Sequence, residues 1–311
     1  FEESQIAKDI KDQLENSLFT VSAVRKRRNF RKPQPPFITS SLQQEAFRKF
    51  RFSSSKTMLV AQKLYEGIEI SDEGPLGLIT YMRTDSFNIS PKAAKEAKDY
   101  IEQSMGKNYI QDAPYKFKQK ASAQEAHEAI RPTMPQKHPT EIESFLDDDG
   151  NKVYDIIWRR FIASYMKPAE IESLQVDIEN QGYLFMAMGS RIIFDGFTKI
   201  WDMQIKEEEL PLFNQGEPVK CLKLEVEESE TKPPARFNDA SLVKLLEDKG
   251  IGRPSTYAPT LRTLALRNYV RREKGVFIPT ELGIRVVDLL TKFFPGIIDE
   301  AFTADMEKKL D

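Results

Sequence analysis

KPQPP, from Lys32 to Pro36, is the stretch on which the fold of this 311-residue chain turns. Proline lacks a backbone N–H and fixes φ, so Pro33, Pro35 and Pro36 can continue neither a helix nor a central strand. The run reads as a joint. Upstream, SQIAKDIKDQLENS (4–17) repeats Ile6, Ile10 and Leu14 every four residues and predicts an amphipathic helix. A strand-like FTVSAV follows, then the basic run RKRRNFRK from Arg25 to Lys32, expected as a solvated strand or loop.

Downstream of the joint the pattern is helical as far as Lys167. SSLQQEAFRKF opens with small polar caps, SKTMLVAQKLYEG closes on Gly67, and PKAAKEAKDYIEQSMG has proline first and glycine last. AQEAHEAI and NKVYDIIWRRFIASYM are expected as two more helices, with DDDG between them as a solvated turn. Lys167-Pro168 forms the second joint. Beyond it LQVDI, YLFMAM, RIIFDGF and VKCLKLEVE alternate at period two and predict strands. After Lys232-Pro233-Pro234, NDASLVKLLEDKG and TELGIRVVDLLTKFF return to helical spacing. The expectation is a multidomain, mainly helical α+β protein. Residues 1–38 and 168–232 form a β-rich hinge domain, 39–167 a helical insert, and 233–311 a second helical module.

Hydrophobic residues make up 40% and charged residues 30%, the balance of a globular chain rather than a disordered one. One cysteine and two histidines exclude internal disulfides and leave little for a cysteine- or histidine-based metal site. No apolar run is long enough to span a bilayer. No phosphate-cradling P-loop, dinucleotide fingerprint or G-x-S-x-G elbow occurs, which lowers the standing of nucleotide hydrolysis, dinucleotide redox chemistry and serine hydrolysis. The net charge of -2 argues against a nucleic-acid binder only on average. Between 232 and 274, ten Lys or Arg stand against four acids.

Three constellations could carry chemistry. In GLITYMRTDS (77–86), an extended backbone would put Tyr81 and Arg83 on one face. A phenol, with an ordinary pKa of about 10, is a poor nucleophile at neutral pH. A guanidinium beside it favours the phenolate and can grip a phosphate. The ordinary alternative is a strand end with a half-buried tyrosine. In SAQEAHEAIRPT (122–133), a helix would align Gln124, His127 and Arg131 on one side, although a lone histidine is more often merely packed. In KGIGRPSTYAPTLRTLALRNYVRREKG (249–275), Arg253, Ser255 and Thr256 stand at a helix start, where free N–H groups and the dipole suit a phosphate. A well-capped helix with a solvated basic face would look the same.

PPFITSSLQQEA (35–46), EGPLGLITYMRTDS (73–86), SAQEAHEAIRPT and PPARFNDASLVKLLEDKGIGRPSTYAPTL (233–261) together resemble, in order, the motif series of the type IA DNA topoisomerases. The wording is nearer the bacterial topoisomerase I branch than reverse gyrase or topoisomerase III. FTADMEKKLD at the end continues the likeness, which covers essentially the whole chain. The resemblance implies Tyr81 as the nucleophile toward single-stranded DNA, forming a 5′-phosphotyrosyl link, with Arg83 holding the scissile phosphate and His127 assisting. It implies DNA contacts by Arg131, Arg253, Ser255, Thr256 and Arg267. It further implies a cytoplasmic, nucleoid-associated monomer that relaxes negatively supercoiled DNA without ATP. Magnesium is expected in the full-length enzyme, with its ligands on an N-terminal Toprim domain that this chain lacks, so the chain is expected not to relax DNA alone. The competing expectation is a single-stranded DNA-binding module without chemistry, in which Tyr81 only stacks on a base.

Overall fold

A computed structural model of the chain describes residues 4–15, 17–70, 74–113, 115, 117 and 127–310. The first elements are α1 (Ser4–Leu14) and a long β1 (Phe19–Arg31), which takes in the basic run. Next come α2 (Thr39–Phe50) and α3 (Ser54–Glu66), the latter capped by the Ser53 side chain accepting from Lys56 N. Short strands β2 (Ile68–Glu69) and β3 (Pro75–Leu76) pair before α4 (Pro91–Met105), which has Ser90 as its cap and Pro91 at its first position. A one-turn α5 (Pro139–Ile142) leads to α6 (Asp148–Ala163). The DDDG expected as a free turn is instead the start of this helix. The Asp147 carboxylate accepts from Gly150 N, and Asp148 and Asp149 stand in the first turn, where negative charge meets the positive end of the dipole.

Strands β4 (Ala169–Asn180) and β5 (Tyr183–Phe194) follow, with YLFMAM and RIIF joined in one strand, and then β6 (Pro218–Val219). VKCLKLEVE was expected as a strand, but past Val219 it has no regular structure. Its alternation finds no neighbouring strand among the described residues, and Leu222 is left 88% exposed. Last come α7 (Asp239–Asp248), α8 (Tyr257–Leu266), the hairpin β7 (Val270–Glu273) and β8 (Val276–Pro279), α9 (Glu281–Phe293), α10 (Pro295–Ile298) and α11 (Glu300–Leu310). The hairpins β4–β5 and β7–β8 turn through Gln181-Gly182 and Lys274-Gly275. All four residues have positive φ, as a two-residue turn matched to strand twist requires.

The chain packs as two compact units, Phe1–Lys32 with Lys167–Pro234 and Pro33–Met166 with Ala235–Asp311. In the first, an antiparallel sheet runs in the order β5-β4-β1-β6, with Arg25 opposite Gln175 and Gln175 opposite Met188. Leu14, Val21, Val176 and Phe197 are buried there. In the second unit, α2 packs on α7, and α3 packs on both α6 and α8. Its core includes Leu42, Leu64, Tyr154 and Phe161, together with Trp158, whose indole N–H donates to Pro135 O at 2.8 Å. Val243, Tyr257, Leu261 and Phe277 form a smaller cluster under the C-terminal elements.

The helix expected over AQEAHEAI is absent from its described part. Residues 127–129 have no regular structure, and Ile130 makes a lone bridge to Phe37; residues 123–126 lie outside the described set. Non-local partners explain the difference. Ile130 N donates to Phe37 O and Ala129 N to Asn88 O, bonds that a helix would forbid.

Candidate active site

The segment Gly77–Ser86 belongs to no long strand, yet it is pinned on both sides of Tyr81. On one side, Leu78 N donates to Leu64 O at 2.8 Å and Thr80 N to Arg131 O at 2.9 Å. The Thr80 hydroxyl donates to Ala129 O at 2.6 Å and accepts from Arg131 N at 3.0 Å. Gly77 must be glycine here, because a Cβ would stand 2.7 Å from Tyr65 O. On the other side, the Thr39 hydroxyl donates to Met82 O at 2.6 Å and accepts from Thr84 N at 2.9 Å. Thr39 N closes the clasp onto Thr84 O at 2.9 Å.

The clasps hold a segment that bends at Thr80, Met82 and Arg83, and the side chains still alternate. Met82 and Thr84 are buried, while Tyr81 and Arg83 project outward, Tyr81 36% exposed. Arg83 Nη1 donates toward the Tyr81 hydroxyl at 3.5 Å. The Tyr81 ring lies edge-on to Tyr65, centroids 5.3 Å apart, and 6.0 Å from the His127 ring. His127 thus reaches Tyr81 from backbone without regular structure rather than from the face of a helix. Gln124 lies outside the described residues.

Arg83 also lines a cleft of about 400 Å³ with Ser55, Pro254, Ser255, Arg262 and Thr263. Two arginines and three hydroxyl residues, Ser55, Ser255 and Thr263, line one space that holds no acid among its lining residues, a fitting environment for a phosphate. Arg262 belongs to the basic stretch between 232 and 274 but was not singled out from the sequence as a site residue. The signal was present, since Pro259, Arg262 and Leu266 recur at helical spacing along one face of α8, and all three line the cleft with Ser255 from the preceding turn. Tyr65 was missed as well, and only tertiary packing reveals it.

The remaining predicted residues are placed differently. Arg131 is largely buried, with its guanidinium paired to Glu128 and donating to Pro132 O at 3.0 Å. Glu128 in turn accepts from Ser90 N at 2.5 Å. Arg253 donates to Gly252 O at 2.8 Å and to Glu307 at 2.9 Å. The Thr256 hydroxyl accepts from Arg253 N at 2.7 Å, and α8 begins one residue later, at Tyr257, without a side-chain cap. Arg253 and Thr256 therefore shape the turn that presents Ser255 to the cleft. Arg267 is exposed at the C-terminal cap of α8, outside the residues lining the cleft. A second tyrosine, Tyr257, is buried beside the same turn. Burial first and then the Glu247 charge push its phenol far above the ordinary value, which keeps it protonated.

Among the described residues no three His, Cys, Asp or Glu side chains converge to hold a cation. The magnesium implied by the resemblance has no ligand set there, and no step below runs through it. No described helix is long and apolar enough to cross a membrane.

The chain matches the family model described as DNA topoisomerase over residues 1–311. Among solved structures, it is similar to the full-length topoisomerase I of Thermotoga maritima in a monoclinic crystal form, with a TM-score of 0.90 and 40% sequence identity. That match covers 100% of this chain and 51% of the other, so the chain spans about half the length of that protein.

Proposed function

We propose, for a chain that belongs to the DNA topoisomerase family, that Tyr81 cleaves and rejoins one strand of DNA. The observation that carries this is the exposed Tyr81 hydroxyl, with Arg83 at 3.5 Å and His127 beside its ring, next to a basic cleft. In cleavage the Tyr81 oxygen bonds to phosphorus, the P–O3′ bond breaks, the phenolic proton departs, and the 3′ oxygen takes up a proton. The product is a 5′-phosphotyrosine and a free 3′-hydroxyl. One phosphodiester-type bond is exchanged for another, so the return reaction needs no ATP.

Arg83 grips the scissile phosphate, and its donors meet charge gathering on the non-bridging oxygens, a kind of contact whose loss costs about 10²–10³ in rate. Arg262 and Ser255 hold the neighbouring strand, and Arg267 contacts it past the end of α8. Arg131 and Arg253 act by bracing the backbone around His127 and Ser255. The substrate is single-stranded DNA, or the unpaired strand of negatively supercoiled DNA, handled by a monomer in the cytoplasm. Residues 33–166 leave the first unit after Lys32 and return at Lys167, both next to prolines, and we read that unit as the hinge.

Covalent trapping tests the proposal. A 3′-labelled single-stranded oligonucleotide is mixed with the chain and magnesium, then denatured. A labelled protein adduct that disappears in Tyr81→Phe supports it, and an adduct that survives this substitution refutes it. With no adduct from either protein, the trial is repeated with a Toprim domain supplied in trans, and continued absence of an adduct with unchanged oligonucleotide binding would favour the stacking module instead.

A further inference from the structure

The site above leaves the basic run of β1 unused, and that run lies in the other unit from Tyr81. β6 pairs only with Phe19 and Thr20, and Val21 bonds to Gly216 and Glu217. Beyond Val21 the outer edge of β1 has no strand partner among the described residues. From Arg25 to Arg31 every residue is exposed, although the inner edge is fully bonded to β4. An open edge of this length invites aggregation, and charge of either sign would blunt it. Here only one sign is used. Arg25, Lys26, Arg27, Arg28, Arg31 and Lys32 fall within eight residues that contain no acid.

Register with β4 sorts the side chains. Arg25, Arg27, Asn29 and Arg31 share one face, and Lys26, Arg28 and Phe30 share the other. Several are occupied. Asp177 takes Arg25, and Asn29 donates to Ser173 at 2.8 Å. Lys26 shares a recess with Glu172, Glu208 and Glu209, and Glu172 is itself paired with Arg191. Glu170 stands opposite Phe30. That leaves Arg27, Arg28 and Arg31 without an ion pair among the described residues, and Phe30, 58% exposed, stands beside Arg28 on the face opposite Arg27 and Arg31.

We propose that the Arg27–Arg31 edge of β1 is a second contact for single-stranded DNA, in which Arg27, Arg28 and Arg31 take phosphates and Phe30 stacks on a base. The inference takes DNA as the ligand from the proposed function. Same-face residues two apart on a strand stand about 6.7 Å apart, so Arg27 and Arg31 are about 13 Å apart along one extended track. A strand following the open edge would meet Arg27 and Arg31 from one face and Arg28 and the Phe30 ring from the other, and cations with an exposed ring are the combination that holds single strands without regard to sequence. An acidic peptide would use the same cations, but it would gain little from Phe30.

The test is fluorescence anisotropy of the full 311-residue chain with a labelled oligothymidylate across a salt series. Neutralising Arg27→Gln, Arg28→Gln and Arg31→Gln together is expected to lower the salt slope by about 2. Between 50 and 200 mM salt, the parent then loses about 20-fold more affinity than the variant. The same three positions changed to lysine should keep the parent slope, which separates lost charge from a damaged strand. Phe30→Ala should weaken binding about fivefold or more at an unchanged slope. A neutralised variant with the parent slope overturns the proposal. So does displacement of the DNA by polyglutamate as effectively as by unlabelled DNA, which would assign the edge to an acidic protein. Adduct formation at Tyr81 with no change of slope removes this contact and leaves the proposed function standing; absence of any DNA binding removes both.

Discussion

Asp239 ties together elements that are far apart in sequence, and the two ways of breaking its ion pair should cost different amounts. Its carboxylate is 1% exposed. It accepts from Ser54 N, at the first turn of α3, at 2.9 Å, and from Arg272 Nη1 and Nη2 at 2.9 and 3.0 Å. The Arg272 side chain is 36% exposed and its guanidinium lies 4.8 Å from the centroid of the Phe277 ring. In Asp239→Ala the arginine can turn to water, so the main loss is the stranded Ser54 N–H, about 1–3 kcal/mol. In Arg272→Leu a carboxylate remains charged and buried with one hydrogen bond, a loss of about 3–5 kcal/mol. Arg272→Leu should therefore be worse by about 2 kcal/mol, and adding Asp239→Asn to it should recover a similar amount.

Urea unfolding reads this out. The chain has two tryptophans, with Trp158 in the second unit and Trp201 in the first, so Trp158 fluorescence in a Trp201→Phe background follows the second unit. With a slope of about 2 kcal/mol per M, a loss of 4 kcal/mol moves the midpoint by about 2 M. If Arg272→Leu proved milder than Asp239→Ala, or the cycle showed coupling below about 0.5 kcal/mol, the asymmetry argued from burial would be wrong.

Three further outcomes are expected. Arg262→Ala should weaken binding of a single-stranded oligonucleotide and reduce its salt slope by about 0.7, measured by titration at several ionic strengths. Gly283→Ala places a Cβ 2.1 Å from Tyr269 O, a backbone atom that cannot rotate away, and should cost about 2 kcal/mol or more in the urea midpoint. The Gln175 amide, and after it Arg25, hold the Asp177 carboxyl below the usual carboxylate range despite the desolvation that raises it. That stabilisation is present above the ordinary carboxylate pKa of about 3.9 and is lost as pH falls through the depressed value. Asp177→Asn should flatten this part of the acid limb, read from urea midpoints between pH 5 and 3.

Local rules carried much of the fold into the sequence. Ser53, Ser90, Asn238 and Thr280 cap helices with their own side chains, and such signals lie within four residues of what they specify. The outward pairing of Tyr81 and Arg83 was also legible from alternation, although the segment bends at Thr80, Met82 and Arg83 instead of running as the extended strand expected. Residues 127–130 were not. They contain good helix formers, and what draws them straight is Phe37 and Asn88, far away in the chain. VKCLKLEVE failed for the complementary reason: alternation states which residues suit a sheet, and only the fold states whether a neighbouring strand exists. Arg131 and Arg253 looked like free cations because Glu128 and Glu307 could not be assigned to them from spacing alone.

Under the function proposed for Tyr81, the threonine clasps on either side of it would bear on the fidelity of resealing. A severed strand is rejoined correctly only if the phosphorus stays where the lost end will look for it. Thr39 and Thr80 fix the peptide on both flanks of the tyrosine, so an end bound there would have one address while the other end wandered. The search is then one-sided. Errors of joining would follow from which free end arrives, and loosening either clasp, by Thr39→Val or Thr80→Val, would blur the address itself.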